Sequence, residues 1–171
     1  LNIPGVTDTD GCCDAVLFTH YHGDHTGQTL RIRPEISLYA GALAKEIMLI
    51  SARHGGPKND ALCQRMEGIQ TFSPGKPLLI GDIQITPFCI DHSAADSYLF
   101  LIEADGKRVL YTGDFRLHGV RGGTMDKILD RRIDKVDVVI TEGTTVSRPN
   151  GDVVTEWDLQ KRVKAYLKQY K

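Results

Sequence analysis

Short apolar runs bounded by Gly, Pro, Asn and Asp recur along the chain, and most have the length of a strand. Residues 15–19, 36–39, 83–90, 98–103, 109–112 and 136–141 each read this way. Residues 78–85 read as a hairpin turning at Gly81-Asp82, and Ala104-Asp105-Gly106-Lys107 is a second hairpin signal. Between the strands the period changes. Residues 41–53 carry Leu43, Ala44, Ile47, Met48 and Ile50 at helical spacing, a stripe that belongs to a core against a sheet rather than to a cofactor site. His54-Gly55-Gly56-Pro57 breaks that helix and leaves His54 as a solvated loop residue. Shorter helices are expected over 26–32, 59–66 and 125–129. Thr155, with Asp158 three residues on, caps a last helix striped by Leu159, Val163, Tyr166, Leu167 and Tyr170. Its Lys161, Arg162, Lys164 and Lys168 read as a solvated face rather than a nucleic-acid groove. Both strands and helices are expected, so the chain reads as α/β.

Directly after the first apolar run stands Thr19-His20-Tyr21-His22-Gly23-Asp24-His25-Thr26-Gly27. If the backbone stays extended at first, His20 and His22 project to the same side and can grip one ion together. Asp24 and His25 follow where Gly23 lets the chain turn, pointing elsewhere, which suits a second ion close to the first. Imidazole nitrogen and carboxylate oxygen without thiolate fit Zn²⁺, Mn²⁺ or Fe better than a structural thiolate zinc site. A lone histidine is most often a core or surface residue, but four donors at H-x-H-x-D-H spacing are a metal-binding pattern.

Composition narrows the setting. The 171 residues are 41% hydrophobic and 25% charged, enough for one sizeable core. A net charge of -1 gives no global basic field, so any affinity for nucleic acid must come from a local patch. Cys12, Cys13, Cys63 and Cys89 lack C-x-x-C spacing and include an adjacent pair, a poor disulfide framework that reads as reduced thiols. With no membrane-length apolar stretch and no leader pattern, a cytoplasmic or nuclear location is expected.

The motif His20-Tyr21-His22-Gly23-Asp24-His25 resembles the signature of the metallo-β-lactamase superfamily, whose fold is an αββα sandwich. That family needs a further His and a further Asp after later strands. Asp91-His92-Ser93 follows the run 83–90, and Thr112-Gly113-Asp114 follows the run 109–112. By resemblance, His20, His22 and His92 hold one metal, Asp24 and His25 the other, and Asp114 bridges. The segment from His92 to Ser97 is similar to the family's H-S-x-x-D-S variant, with Asp96 either a turn residue or an acceptor orienting a ligating imidazole. His118 reads as a surface residue rather than a substrate contact. Members also place earlier strands, and an Asp after one of them, ahead of the His cluster. Residues 1–14 are turn-rich and do not begin with Met, so the resemblance implies a cut end and a partial sandwich.

Glu142-Gly143-Thr144-Thr145, after the run 136–141, is similar to the first motif of the β-CASP branch, which includes ribonuclease J and the factors that cut messenger RNA ends. The resemblance implies a partial metallo-β-lactamase domain over 1–154 and, over 155–171, the first helix of an inserted domain. It also implies a nuclease of RNA processing or DNA repair acting on RNA or single-stranded DNA, with two divalent ions, Zn²⁺ foremost, sharing a hydroxide. Asp24 would be ligand and proton acceptor, and Glu142 would orient a general acid beyond this chain, leaving the 171 residues weakly active or inactive alone. The alternatives are a thioester or lactone hydrolase on the same fold, against which the Glu-Gly-Thr motif and the last helix argue, and a non-catalytic metal-binding module.

Overall fold

The computed structural model describes residues 2–8, 11, 13–149 and 151–170. Asp10 of the turn-rich opening and Cys12 of the cysteine pair lie outside the described residues. Among those described, Cys13, Cys63 and Cys89 are free thiols, and no helix is long and apolar enough to cross a membrane.

Two sheets carry the architecture. The first joins β1 (Ala15–Leu17), β2 (Ser37–Gly41) and β3 (Gln70–Phe72) in parallel. The second has the order β4 (Leu78–Ile80), β5 (Ile83–Ile90), β6 (Ser97–Ala104), β7 (Lys107–Tyr111) and β8 (Val138–Ile140). It is antiparallel until β8, which pairs with β7 in parallel. The expected turns make the hairpins: Gly81 adopts φ 57°, and Asp105 and Gly106 adopt φ 51° and 69°, positive values that match the twist of the flanking strands.

Period-two alternation divides β2, β5 and β6 between two cores. Phe18, Leu38 and Ala40 face α2 (Ala42–His54) and α3 (Asp60–Glu67), packing with Met48, Ala52 and Met66. Phe88, Leu99, Leu101 and Leu110 face α4 (Thr124–Arg132), packing with Met125 and Ile128. Between the sheets, Phe72, Ile85, Tyr98 and Phe100 form the third core. The order helix, sheet, sheet, helix is the expected sandwich.

Departures from the expectation have local causes. The helix expected over 26–32 divides into a single turn, α1 (Gly23–Thr26), and a 3-10 turn at Thr29–Arg31. The hydroxyl of Thr26 donates back to the carbonyl of His22, and that of Thr29 to the carbonyl of Thr26, side-chain bonds that compete with a continuing helix. Strand β3 was not expected, since its three residues include two polar exposed ones. β8 is shorter than its apolar run, and all three of its residues are about half exposed at the sheet's edge.

Asp96 serves the turn rather than a histidine. It sits at φ 62°, and its carboxylate accepts from the Ala44 amide at 2.9 Å and the Tyr98 hydroxyl at 2.6 Å. Gly41, the residue before α2, has no side chain to cap it, so a carboxylate from the other sheet takes the place of the N-cap. Burial and this carboxylate raise the Tyr98 phenol above its ordinary range. Asp96→Ala is expected to cost about 1–3 kcal/mol in urea unfolding, the range for an unsatisfied buried donor together with a lost cap. Asp96→Asn, which tolerates the same backbone conformation and retains an acceptor, should lose less.

Candidate metal centre

The His cluster begins where β1 ends. Thr19 leaves the strand with its carbonyl accepting from the Tyr98 amide at 3.0 Å, a bond that joins the two sheets at the site. His22 keeps extended angles, φ -61° and ψ 148°, before α1 begins. His20 and His22 therefore project together as expected, with His20 Nε2 3.0 Å from His22 Nδ1. His92, just beyond β5, brings its Nε2 to 3.3 Å from the same His22 nitrogen.

A second group forms beside the first. His25 Nε2 lies 3.2 Å from Asp114 Oδ2, and that oxygen is also 4.0 Å from His20 Nε2 and 3.9 Å from His92 Nε2. Donor atoms of His20, His22 and His92, and of His20, His25 and Asp114, thus form two groups, each within 4.8 Å. The Asp24 carboxylate joins neither group; its side chain is 79% exposed, with Oδ2 3.6 Å from His25 Nε2. Glu142 joins neither group; its Oε1 accepts from the Phe115 amide at 2.7 Å and so holds the loop that follows Asp114. His118 is exposed, as expected, and so is His54, which closes α2 rather than standing in a loop.

The donor set fits a divalent ion. Metal–nitrogen bonds of about 2.0–2.1 Å in a tetrahedral site place neighbouring ligand atoms about 3.3 Å apart, close to the 3.0 and 3.3 Å seen among the three imidazoles. Neutral rings leave one of the three nitrogens without a partner, because His20 Nε2 and His92 Nε2 both face the single His22 Nδ1. Thr19 Oγ1 lies 3.0 Å from His20 Nδ1; the tautomer that donates to this hydroxyl leaves the Nε2 lone pair aimed into the cluster. Burial and the neighbouring imidazoles of His25, His92 and His22 lower the His20 pKa from 6.5 to about 4 against the pull of Asp114. Burial lowers His92 as well, with Asp114 opposing. Both rings are thereby held neutral, the state a metal ligand needs.

Gly113 brings Asp114 in. It adopts φ 56°, and a Cβ there would meet the Thr19 side chain and the Tyr98 carbonyl at 3.0 Å, so the last turn before Asp114 requires glycine. The sequence reading missed two anchors. Asp91, 6% exposed, accepts from Arg116 Nε at 2.8 Å and from the Arg121 amide at 2.5 Å. Their one sequence signal is adjacency: Asp91 precedes His92, and Arg116 follows Asp114 by two positions.

Residues 4–165 match the model of the β-lactamase superfamily domain. An RNase J-like protein of Methanocaldococcus jannaschii is 29% identical over 150 residues, 83% of this chain and 34% of that protein. A protein of unknown function from Enterococcus faecalis V583 superposes with a TM-score of 0.78 at 25% identity, over 98% of this chain and 42% of its own. Zn²⁺-bound PqqB from Methylobacterium extorquens shares the fold at a TM-score of 0.54 and 20% identity, over 84% of this chain and 52% of that one. The chain thus spans about a third of the curated relative's length.

Two outcomes are expected of the centre itself. His20→Ala, which removes the nitrogen common to both groups, should weaken Zn²⁺ or Co²⁺ binding in calorimetric titration by more than about 100-fold, beyond the loss of an outer partner; His54→Ala should leave it unchanged. In the metal-free protein, folded and unfolded His20 are both neutral at high pH. As pH falls from 6.5 towards about 4, the unfolded chain takes up a proton that the folded one refuses. Stability should therefore decline across that window, read as a falling urea midpoint, and His20→Ala should flatten the decline.

Proposed function

The chain belongs to the metallo-β-lactamase superfamily, and from that membership we propose that it is the metal-holding part of a nuclease cleaving phosphodiester bonds of RNA or single-stranded DNA. The observation that carries the reading is Asp114 Oδ2, one carboxylate oxygen within 4.0 Å of His20, His25 and His92. An oxygen so placed suits two cations held side by side, with Zn²⁺ foremost and Mn²⁺ or Fe as alternatives. The RNase J-like relative turns the hydrolase towards nucleic acid.

Bound divalent ions supply an acidified water and a Lewis-acid contact for a phosphoryl oxygen. The chain's own residues do the rest. His20, His22 and His92 form one wall of the site, and His25 and Asp114 the other. Asp24, exposed at the mouth beside His25, is placed to take a proton from the attacking water. Glu142 fixes the loop after Asp114 through the Phe115 amide. A groove of about 540 Å³ opens there, where Arg116, His118 and Glu142 stand among apolar residues that include Phe115, Leu117 and Val146. In this reading the helix α5 (Glu156–Gln169) opens a further, inserted domain. Its apolar stripe is exposed throughout: Trp157, Leu159, Val163, Tyr166 and Leu167 are each half exposed or nearly so.

The test uses the protein expressed from its complete reading frame, with Zn²⁺ or Mn²⁺, on labelled single-stranded RNA and DNA beside a panel of thioesters and lactones. Metal-dependent shortening of the nucleic acid is expected, falling about 10²- to 10⁴-fold in Asp24→Ala, the range for a lost proton acceptor. Ester turnover with the nucleic acid intact would replace the nuclease with a small-molecule hydrolase. Undiminished cleavage by Asp24→Ala would remove that residue from the chemistry.

A further inference from the structure

The segment 115–121 is held from three directions by carboxylates. Glu142 takes the Phe115 amide. Asp91 takes the Arg116 side chain and the Arg121 amide, and its own carbonyl accepts from the Arg116 amide at 2.9 Å. Glu156, the first residue of α5, takes Arg116 Nη2 at 2.8 Å through Oε1 and the Val120 amide at 2.8 Å through Oε2, while its own amide donates to the His118 carbonyl at 2.9 Å. Among the described residues, Arg116 is the one side chain common to Asp91 and Glu156. The packing leaves no slack, since a Cβ on Gly119 would run into the Asp91 carboxylate and the Arg116 guanidinium.

We propose that Arg116 is a positioning residue that couples the seating of helix α5 to the spacing of the metal donors on His92 and Asp114. The inference rests on the metal reading above. Asp91 is bonded directly to His92 in the chain, and Arg116 lies two residues beyond Asp114, so a guanidinium fixed to Asp91 sets the separation of the two ligand-bearing backbones. Guanidinium geometry suits this, because its planar fork engages one carboxylate through Nε and another through Nη2 at once. When α5 is seated, Glu156 holds the far end of the fork. When α5 lifts, Arg116 and the Val120 amide lose partners, and the loop carrying Asp114 gains freedom. Coupling of this kind is reciprocal: whatever factor α5 seating adds to metal affinity, metal binding returns as protection of α5.

Two measurements on the same chain test it. Zn²⁺ affinity is measured for the unmodified protein, Glu156→Gln and Arg116→Lys, with Glu67→Gln, whose partner Arg53 lies on the exposed surface, as the control. Amide hydrogen exchange across the first turn of α5 is followed with and without Zn²⁺. Glu156→Gln and Arg116→Lys are expected to weaken Zn²⁺ binding about 5- to 100-fold, Glu67→Gln to leave it unchanged, and Zn²⁺ to slow α5 exchange in the unmodified protein but not in Glu156→Gln. Lower melting temperatures with unchanged Zn²⁺ affinity would make the bridge merely structural and overturn the coupling. Exchange in α5 indifferent to Zn²⁺ would overturn it equally, and that measurement decides the matter should the variants fail to fold. An unmodified protein that binds no Zn²⁺ would instead overturn the metal reading, and the coupling with it.

Discussion

The hydrogen bond from the Tyr98 amide to the Thr19 carbonyl is the point on which the two halves of the molecule are registered. Thr19 lies two residues past the end of β1, just ahead of His20 and His22; Tyr98 is the second residue of β6, the strand that follows His92. A single backbone bond therefore sets the height at which donors from one sheet meet donors from the other. Gly113 approaches the same spot, close enough to the Thr19 side chain and the Tyr98 carbonyl to exclude a Cβ, and it brings Asp114 to that height too. Imidazoles and carboxylate share one level because three strand ends are pinned there. No bond among the donors themselves is needed.

Burial and charge divide the labour around that level. Deep in the site, His20 is kept neutral by desolvation and by its imidazole neighbours. Further out, carboxylates face backbone amides and a guanidinium. Asp91, Asp96, Glu142 and Glu156 each tie a loop or helix start to another element instead of pointing into the cluster. A buried carboxylate that accepts several hydrogen bonds tolerates its loss of water, which lets acidic residues serve as internal fasteners beside a cluster that itself contains the Asp114 carboxylate.

Much of this was legible in the residues. The spacing of His20 and His22 identified their shared direction, because two extended residues apart is a geometric statement. The hairpins were legible because Gly81-Asp82 and Asp105-Gly106 allow few other turns. Asp114 was found through a resemblance, since an aspartate after glycine is by itself an ordinary turn. Hidden were the parts that depend on partners distant in sequence: β3, whose short polar strand exists by pairing with β2; Asp96 as a cap for a helix 52 residues away; and Arg116, whose partners Asp91 and Glu156 come from opposite sides in the chain. Local pattern does not encode such meetings.

The exposed edge formed by Val138–Ile140 bears on how such a molecule can change over time. The donors lie just beyond strand ends or, for His25, in the single turn α1, whereas this edge lies along a strand's length, paired on one side alone among the described residues. New strands or whole modules can be laid against such an edge without moving the donor level, so a lineage can rebuild its outline, and with it the molecules it admits, around an unaltered chemical centre. The same open edge that permits accretion invites mispairing between copies, and a history of successive coverings would be the natural response.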